Sequence, residues 1–104
     1  MAKNMNNLLK QAQQMQLKVT ALQKELESRE LEVSSGGGAI KITINGKQEI
    51  LNFKIDPECV DPSDVEMLEE MIKTGVNQAT KESQEMVSNA MSKVTGGLNI
   101  PGLF

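Results

Sequence analysis

An α+β fold is predicted, in the order long helix, three antiparallel strands, then one short and one long helix. Three observations predict it. Apolar residues from Met5 to Leu26 recur at alternating steps of three and four. Two triplets of alternating apolar residues flank Asn45-Gly46, and a second three-and-four stripe runs from Val65 to Val94. With 104 residues and 38% apolar content, the chain makes one small domain rather than two.

The first element rests on Met5, Leu8, Ala12, Met15, Val19, Leu22 and Leu26, an unbroken a/d seam over three heptads. Good helix formers (Lys, Gln, Leu, Ala and Met) fill most positions between them. A helix from about Asn4 to Ser28 would be roughly 37 Å long at 1.5 Å per residue. A globule of this size cannot cover that length with its remaining mass. The seam therefore needs a long partner, either the C-terminal helix of the same chain or the same helix of a second copy. A dimer is expected.

The strands come next. Leu31 and Val33 alternate with Glu30, Glu32 and Ser34, and Ser34 to Gly38 reads as a loop. Ile40, Ile42 and Ile44 then lead into Asn45-Gly46, the signature of a two-residue hairpin turn with Gly46 at positive φ. Leu51, Phe53 and Ile55 return on the same face. Ile50 is the apolar exception on the other face, beside Lys41, Thr43, Gln48, Asn52 and Lys54.

Asp56 to Pro62 is a turn-rich connector, after which Asp61, or Ser63 with Glu66, can cap a helix. The stripe Val65, Leu68, Ile72, Val76, Ala79, Ser83, Met86, Ala90 and Val94 follows, with small residues suited to close helix packing. Gly75 costs about 1 kcal/mol relative to Ala inside a helix, so a short helix ending near there and a longer one after it are as defensible as one unbroken helix, and the two-helix form is the one expected here. Residues 1–95 form the α-β-β-β-α domain, and 96–104 read as a tail expected to be flexible.

Composition excludes much chemistry. Without histidine there is no Ser-His-Asp triad, Cys-His pair or usual zinc site, and no enzyme, metal or other cofactor is expected. Cys59 stands alone, so no internal disulfide forms; it reads as a small buried or half-buried apolar residue. No apolar run approaches the roughly 18 residues that span a bilayer. The start lacks the apolar stretch of a signal peptide, and a cytoplasmic location away from membranes is expected.

The net charge of −3 is unevenly distributed. No acid precedes Glu25, whereas Lys3, Lys10, Lys18 and Lys24 all lie in that first stretch. Asp56, Glu58, Asp61, Asp64, Glu66, Glu69 and Glu70 form an acidic block with no base among them. That block lacks the ligand pattern of a calcium loop and reads as a solvated helix start, favoured by the helix dipole. With Met5 as heptad position a, Lys3, Lys10 and Lys24 fall at f, opposite the seam, and Lys18 flanks it at g. Asn4, Asn7, Gln11, Gln13 and Gln14 add neutral groups suited to phosphate and sugar oxygens. The edge reads either as a phosphate-contacting surface or as a solvated helix face. One arginine and two aromatics leave little for base-specific forks or for stacking on single strands.

Several local strings, in order, carry a resemblance. They are Leu9-Lys10-Gln11-Ala12-Gln13-Gln14-Met15-Gln16, Ile42-Thr43-Ile44-Asn45-Gly46, Lys54-Ile55-Asp56-Pro57, Met67 to Ile72, Val76-Asn77-Gln78-Ala79, and Val94 to Gly102. Together they cover nearly the whole chain, which resembles the YbaB/EbfC family of small bacterial nucleoid-associated DNA-binding proteins. The resemblance implies a tweezer-like homodimer with a central β core and protruding helical arms that engage double-stranded DNA. It also implies a nucleoid location, a role in chromosome organisation and gene expression, and no small-molecule substrate. Taken with the missing acids before Glu25, it favours the phosphate-contacting reading of the lysine edge. A protein-binding adaptor or holdase, gripping a partner through the long helix, is the alternative.

Overall fold

The computed structural model describes residues 2–95, and the expected tail at 96–104 lies outside the described residues. Helix α1 spans Ala2–Ser28, and strands β1 (Glu30–Ser35), β2 (Ile40–Asn45) and β3 (Ile50–Ile55) form one antiparallel sheet in the order β1-β2-β3. Helix α2 runs from Val65 to Thr95. The molecule is long and thin, 75 × 20 × 17 Å, with a radius of gyration of 19.9 Å. A compact chain of this length would have about 13 Å.

Two cores account for that shape. The first lies between the sheet and the first half of α2: Val33, Ile40, Ile42, Ile44 and Ala79 are buried, with Leu68, Met71, Ile72 and Val76 packed against them. Strand alternation sends these isoleucines to one face and leaves Lys41, Asn52 and Lys54 exposed on the other. The second core holds Val19, Leu26 and Met91, joined by Leu22, Met86, Val87, Ala90 and Val94. It zips the C-terminal half of α1 to the C-terminal half of α2.

Helix α2 is a single element, not a short helix followed by a long one. Gly75 is buried against the sheet; a Cβ there would meet Ile42 Cδ1 and Ser35 Cβ, each at 3.2 Å. The glycine permits close packing and the helix continues through it, held on both sides by the sheet. The cap also differs. Asp64 Oδ1 accepts the Met67 amide at 3.2 Å, so Asp64 precedes α2. Asp61 instead closes the preceding turn, accepting the Ser63 amide at 2.9 Å and the Ser63 hydroxyl at 2.7 Å.

The β2–β3 turn is not the expected two-residue type. The Gln48 amide bonds the Asn45 carbonyl at 3.0 Å, and Gln48, not Gly46, has a left-handed φ of 64°. This is a three-residue loop, a tight turn followed by a left-handed residue. Asn45 organises it, its Oδ1 accepting from the Lys47 and Glu49 amides at 2.9 and 3.0 Å. A bulge at Thr43/Ile44 then sets Ile50 opposite Ile44, leaving Leu51 unmatched, so Ile50 is not the off-face exception. Ile42 faces Phe53 and Ile40 faces Ile55, as the alternation requires. In the β1–β2 loop, Gly36, Gly37 and Gly38 all take positive φ.

Replacing Asp64 by Ala should lower stability by about 1 kcal/mol in urea unfolding. Ser63→Ala removes only an exposed hydroxyl bond and should cost less. Equal decreases would place the cap elsewhere.

Candidate nucleic-acid interface

Helix α1 divides into two halves with different environments. Leu26 is 1% exposed, Val19 is buried and Leu22 half-buried, all in the second core. Met5 is 66% and Leu8 63% exposed, and Ala12 and Met15 are exposed as well. The seam is therefore covered by α2 in its last two turns and uncovered before that.

The reason is the antiparallel arrangement of the helices. The C-terminal end of α1 meets the hairpin tip, where Gly46 presses on the Leu26 carbonyl. Ser83 of α2 meets the same tip, its hydroxyl donating to the Asn45 carbonyl at 2.7 Å. Both helices leave that point side by side. Only 12 residues of α2 (84–95) extend past Ser83, whereas α1 reaches back 24 residues from Leu26 to Ala2. The difference, about 18 Å at 1.5 Å per residue, is a helical arm free of the body.

The expected site residues lie mostly on this arm. Lys10, Lys18 and Lys24 are exposed, as are Asn7, Gln11 and Gln14, and Lys3 lies in the first turn of α1. Among the described residues, ion pairs join Arg29 to Glu25, Lys47 to Glu27 and Lys73 to Glu70. None of these engages Lys10, Lys18 or Lys24. Helical repeat puts Lys10 and Lys24 in one row about 21 Å apart, with Lys18 near the seam.

Sequence reasoning missed Leu17 in that row, midway between Lys10 and Lys24 and 69% exposed. Its heptad position, f, was the available signal. Leu9 is similarly exposed off the seam. The edge is thus a mixed lysine and leucine surface. On α2, Lys73, Lys81 and Lys93 are exposed but widely spaced.

The acidic block occupies the other end of α2. Asp56, Glu58, Asp61, Asp64, Glu66, Glu69 and Glu70 are all exposed around the 3-10 turn Pro57–Cys59 and the start of α2. The Ser63 hydroxyl, and secondarily its amide, hold the Asp61 carboxyl below its ordinary value. From Glu70 to Val94 is about 36 Å along the helix, several times the ~8 Å screening length at physiological salt. Repulsion from the block therefore does not reach the arm. Cys59 is exposed in that turn, neither buried nor half-buried. Among the described residues, no group of three or more His, Cys, Asp or Glu could hold a metal ion. None of the described helices is long and apolar enough to cross a membrane.

A free helical arm carrying unpaired lysines is a geometry that can meet an extended polyanion, and comparison with known proteins bears on which. A family model, the YbaB/EbfC DNA-binding family, matches residues 1–98. The chain belongs to the YbaB/EbfC DNA-binding family. Relatives in that family include a nucleoid-associated protein of Alkaliphilus metalliredigens, 53% identical over 99% of this chain and 90% of that protein. Another, from Desulforamulus reducens, is 53% identical over 100% of this chain and 99% of that protein, and is also named a nucleoid-associated protein. An uncharacterized protein of Helicobacter pylori has a crystal structure that matches at a TM-score of 0.72 and 21% identity. That match covers 86% of this chain and 94% of the other, and shows the shared fold. The YbaB/EbfC assignment agrees with the order of strings read along the sequence.

Two outcomes follow from the geometry. Leu26→Ala should cost about 2–5 kcal/mol in denaturant unfolding, because it opens a cavity between the two helices. The stability that Asp61 adds is present above the ordinary carboxylate range and disappears as pH falls through its lowered folded value. Asp61→Asn should therefore flatten that part of an acid-unfolding curve, while an unchanged curve would assign the slope to other acids.

Proposed function

We propose that the chain binds double-stranded DNA as a homodimer with low sequence specificity, using α1 as the contacting arm. The observation that carries this reading is the acid-free, lysine-bearing half of α1 standing clear of the body. Lys3, Lys10, Lys18 and Lys24 would contact phosphates, with Asn7, Gln11 and Gln14 bonding phosphate or sugar oxygens. Phosphate contacts carry no base information, and lysine lacks the planar fork with which arginine reads guanine. Binding is then electrostatic and nearly sequence-independent. The relatives' name, nucleoid-associated protein, supports a place in the nucleoid, within the bacterial cytoplasm; a role in chromosome organisation and gene expression belongs to the same proposal. Binding of this kind needs no cofactor.

Support for the dimer comes from apolar surface that one chain leaves uncovered. Met5, Leu8, Ala12 and Met15 continue the a/d seam past the end of α2, and Ile50 and Leu51 are exposed on the edge strand β3. Such surface marks association in a soluble chain. A second copy doubles the lysines, to about eight across two arms. The same exposed apolar residues are what favours the adaptor or holdase reading.

A duplex titration at several salt concentrations separates the two. Changing Lys10 and Lys18 to Gln keeps helix propensity, so circular dichroism should be unchanged. The slope of log K against log salt should fall by about 0.9 for each phosphate no longer neutralised, doubled in a symmetric dimer. Unrelated duplexes should weaken alike. Glu69→Gln with Glu70→Gln should leave binding unchanged, given the separation along α2. A parent protein without salt-dependent binding would transfer the function to the adaptor reading. Sedimentation equilibrium checks the dimer, and a monomer at tens of micromolar would exclude it.

A further inference from the structure

We propose that the β2–β3 hairpin tip is the seat that aims the α1 arm, with Gly46 as its positioning residue. The inference rests on the reading of α1 as the DNA-contacting element. It begins with a glycine whose backbone does not need one: Gly46 has no left-handed φ, which belongs to Gln48. What requires glycine is the neighbour. A Cβ at Gly46 would overlap the Leu26 carbonyl oxygen and come within 2.7 Å of its carbon, and both are backbone atoms that cannot rotate away. That carbonyl accepts the Arg29 amide at 3.2 Å and so closes the last turn of α1. The tip therefore abuts the end of the arm itself.

The tip is the stiffer of the two partners. Asn45 is buried and holds the loop with its side-chain oxygen on two amides and its Nδ2 donating to Glu49 Oε1 at 3.1 Å. Ser83, fully buried, ties the Asn45 carbonyl to α2. Lys47 of the loop lies 3.8 Å from Glu27, beside this junction. Helix α1, by contrast, is held through the packing of Leu26, Leu22 and Val19 and the exposed Lys47–Glu27 pair. When the junction is overfilled, the helix moves rather than the loop.

Leverage turns a small shift into a large one. Leu26 lies about 10 Å from Val19 along the helix, and Met5 about 21 Å beyond Val19 on the other side. A displacement on the order of 1 Å at Leu26, enough to relieve one overlapping atom pair, is roughly doubled at the free end. Phosphate contacts spaced along a duplex depend on that direction.

The exposed Cys59 supplies one labelling site on the body, and Asn6→Cys a second on the arm. Nitroxide pairs at these positions, in full-length protein diluted with unlabelled chain, report the arm's direction by pulsed electron resonance. Gly46→Ala should shift the mean distance by about 2 Å or broaden its distribution, well below the melting temperature. Its affinity for duplex DNA at 0.1 M salt should fall by about tenfold or more, as expected when the dimer as a whole reaches at least one phosphate fewer. Ile42→Val, which loosens the sheet core away from the arm, should lower the melting temperature and leave both distance and affinity unchanged. Should Gly46→Ala fail to fold, Ser83→Ala replaces it, and a broadened distance distribution is expected. An unmoved distance in the folded variant, an equal shift in Ile42→Val, or a shifted arm with undiminished affinity would overturn the proposal. Absence of DNA binding by the parent would instead overturn the reading of α1, while the distance measurement still decides whether the tip aims it.

Discussion

A 27-residue helix is longer than the rest of a 104-residue chain can cover, and that mismatch organises the molecule. Burial of an apolar stripe stabilises a helix only where something packs against it. Here α2 supplies that partner for the last turns of α1, then ends. Everything before about Val19 is held up by the helix's own hydrogen bonds and by whatever else meets it. The free length is thus a direct result of two helices leaving one point antiparallel and unequal in reach. The proposed function rests on what the sequence places on that free length: lysines, amides and apolar residues, and no acid.

The same division separates charge. Helix α2 acts as a spacer whose start carries the acidic block and whose end supports the arm. Acids at a helix start interact favourably with its dipole. They also give the body a negative end remote from the basic arm, farther than salt allows charges to interact. An acidic chain can therefore present a basic surface. The net charge of −3 describes neither end.

Much of this was legible in the sequence because hydrophobic period reports directly on burial. The seam of α1, the isoleucine triplet of β2 and the stripe of α2 each repeat with the spacing of the element they form; the triplet, most of the stripe and the last three seam residues (Val19, Leu22 and Leu26) lie in the two cores, while Met5 to Met15 stay uncovered. What could not be read depends on packing between distant segments. Gly46 looked like a turn glycine, but its reason is the Leu26 carbonyl twenty residues earlier. Gly75 looked like a helix break, but sheet packing on that face carries the helix through. Asp64 outcompeted Asp61 and Ser63 as the cap because Asp61 was already engaged with Ser63. The lysine edge was visible as a pattern, and Leu17 within it could have been read from its heptad position, yet the distance of the edge from the acids required the geometry.

The central claim is that the lysine edge of α1, from Asn7 to Lys24, meets duplex DNA while the acidic start of α2 does not. Amide chemical-shift mapping on addition of a short duplex tests it residue by residue. The account predicts perturbations concentrated between Asn7 and Lys24, fading as salt is raised, with residues 56–70 unmoved. Perturbations centred on the sheet lysines Lys41, Lys47 and Lys54, with α1 unmoved, would contradict it.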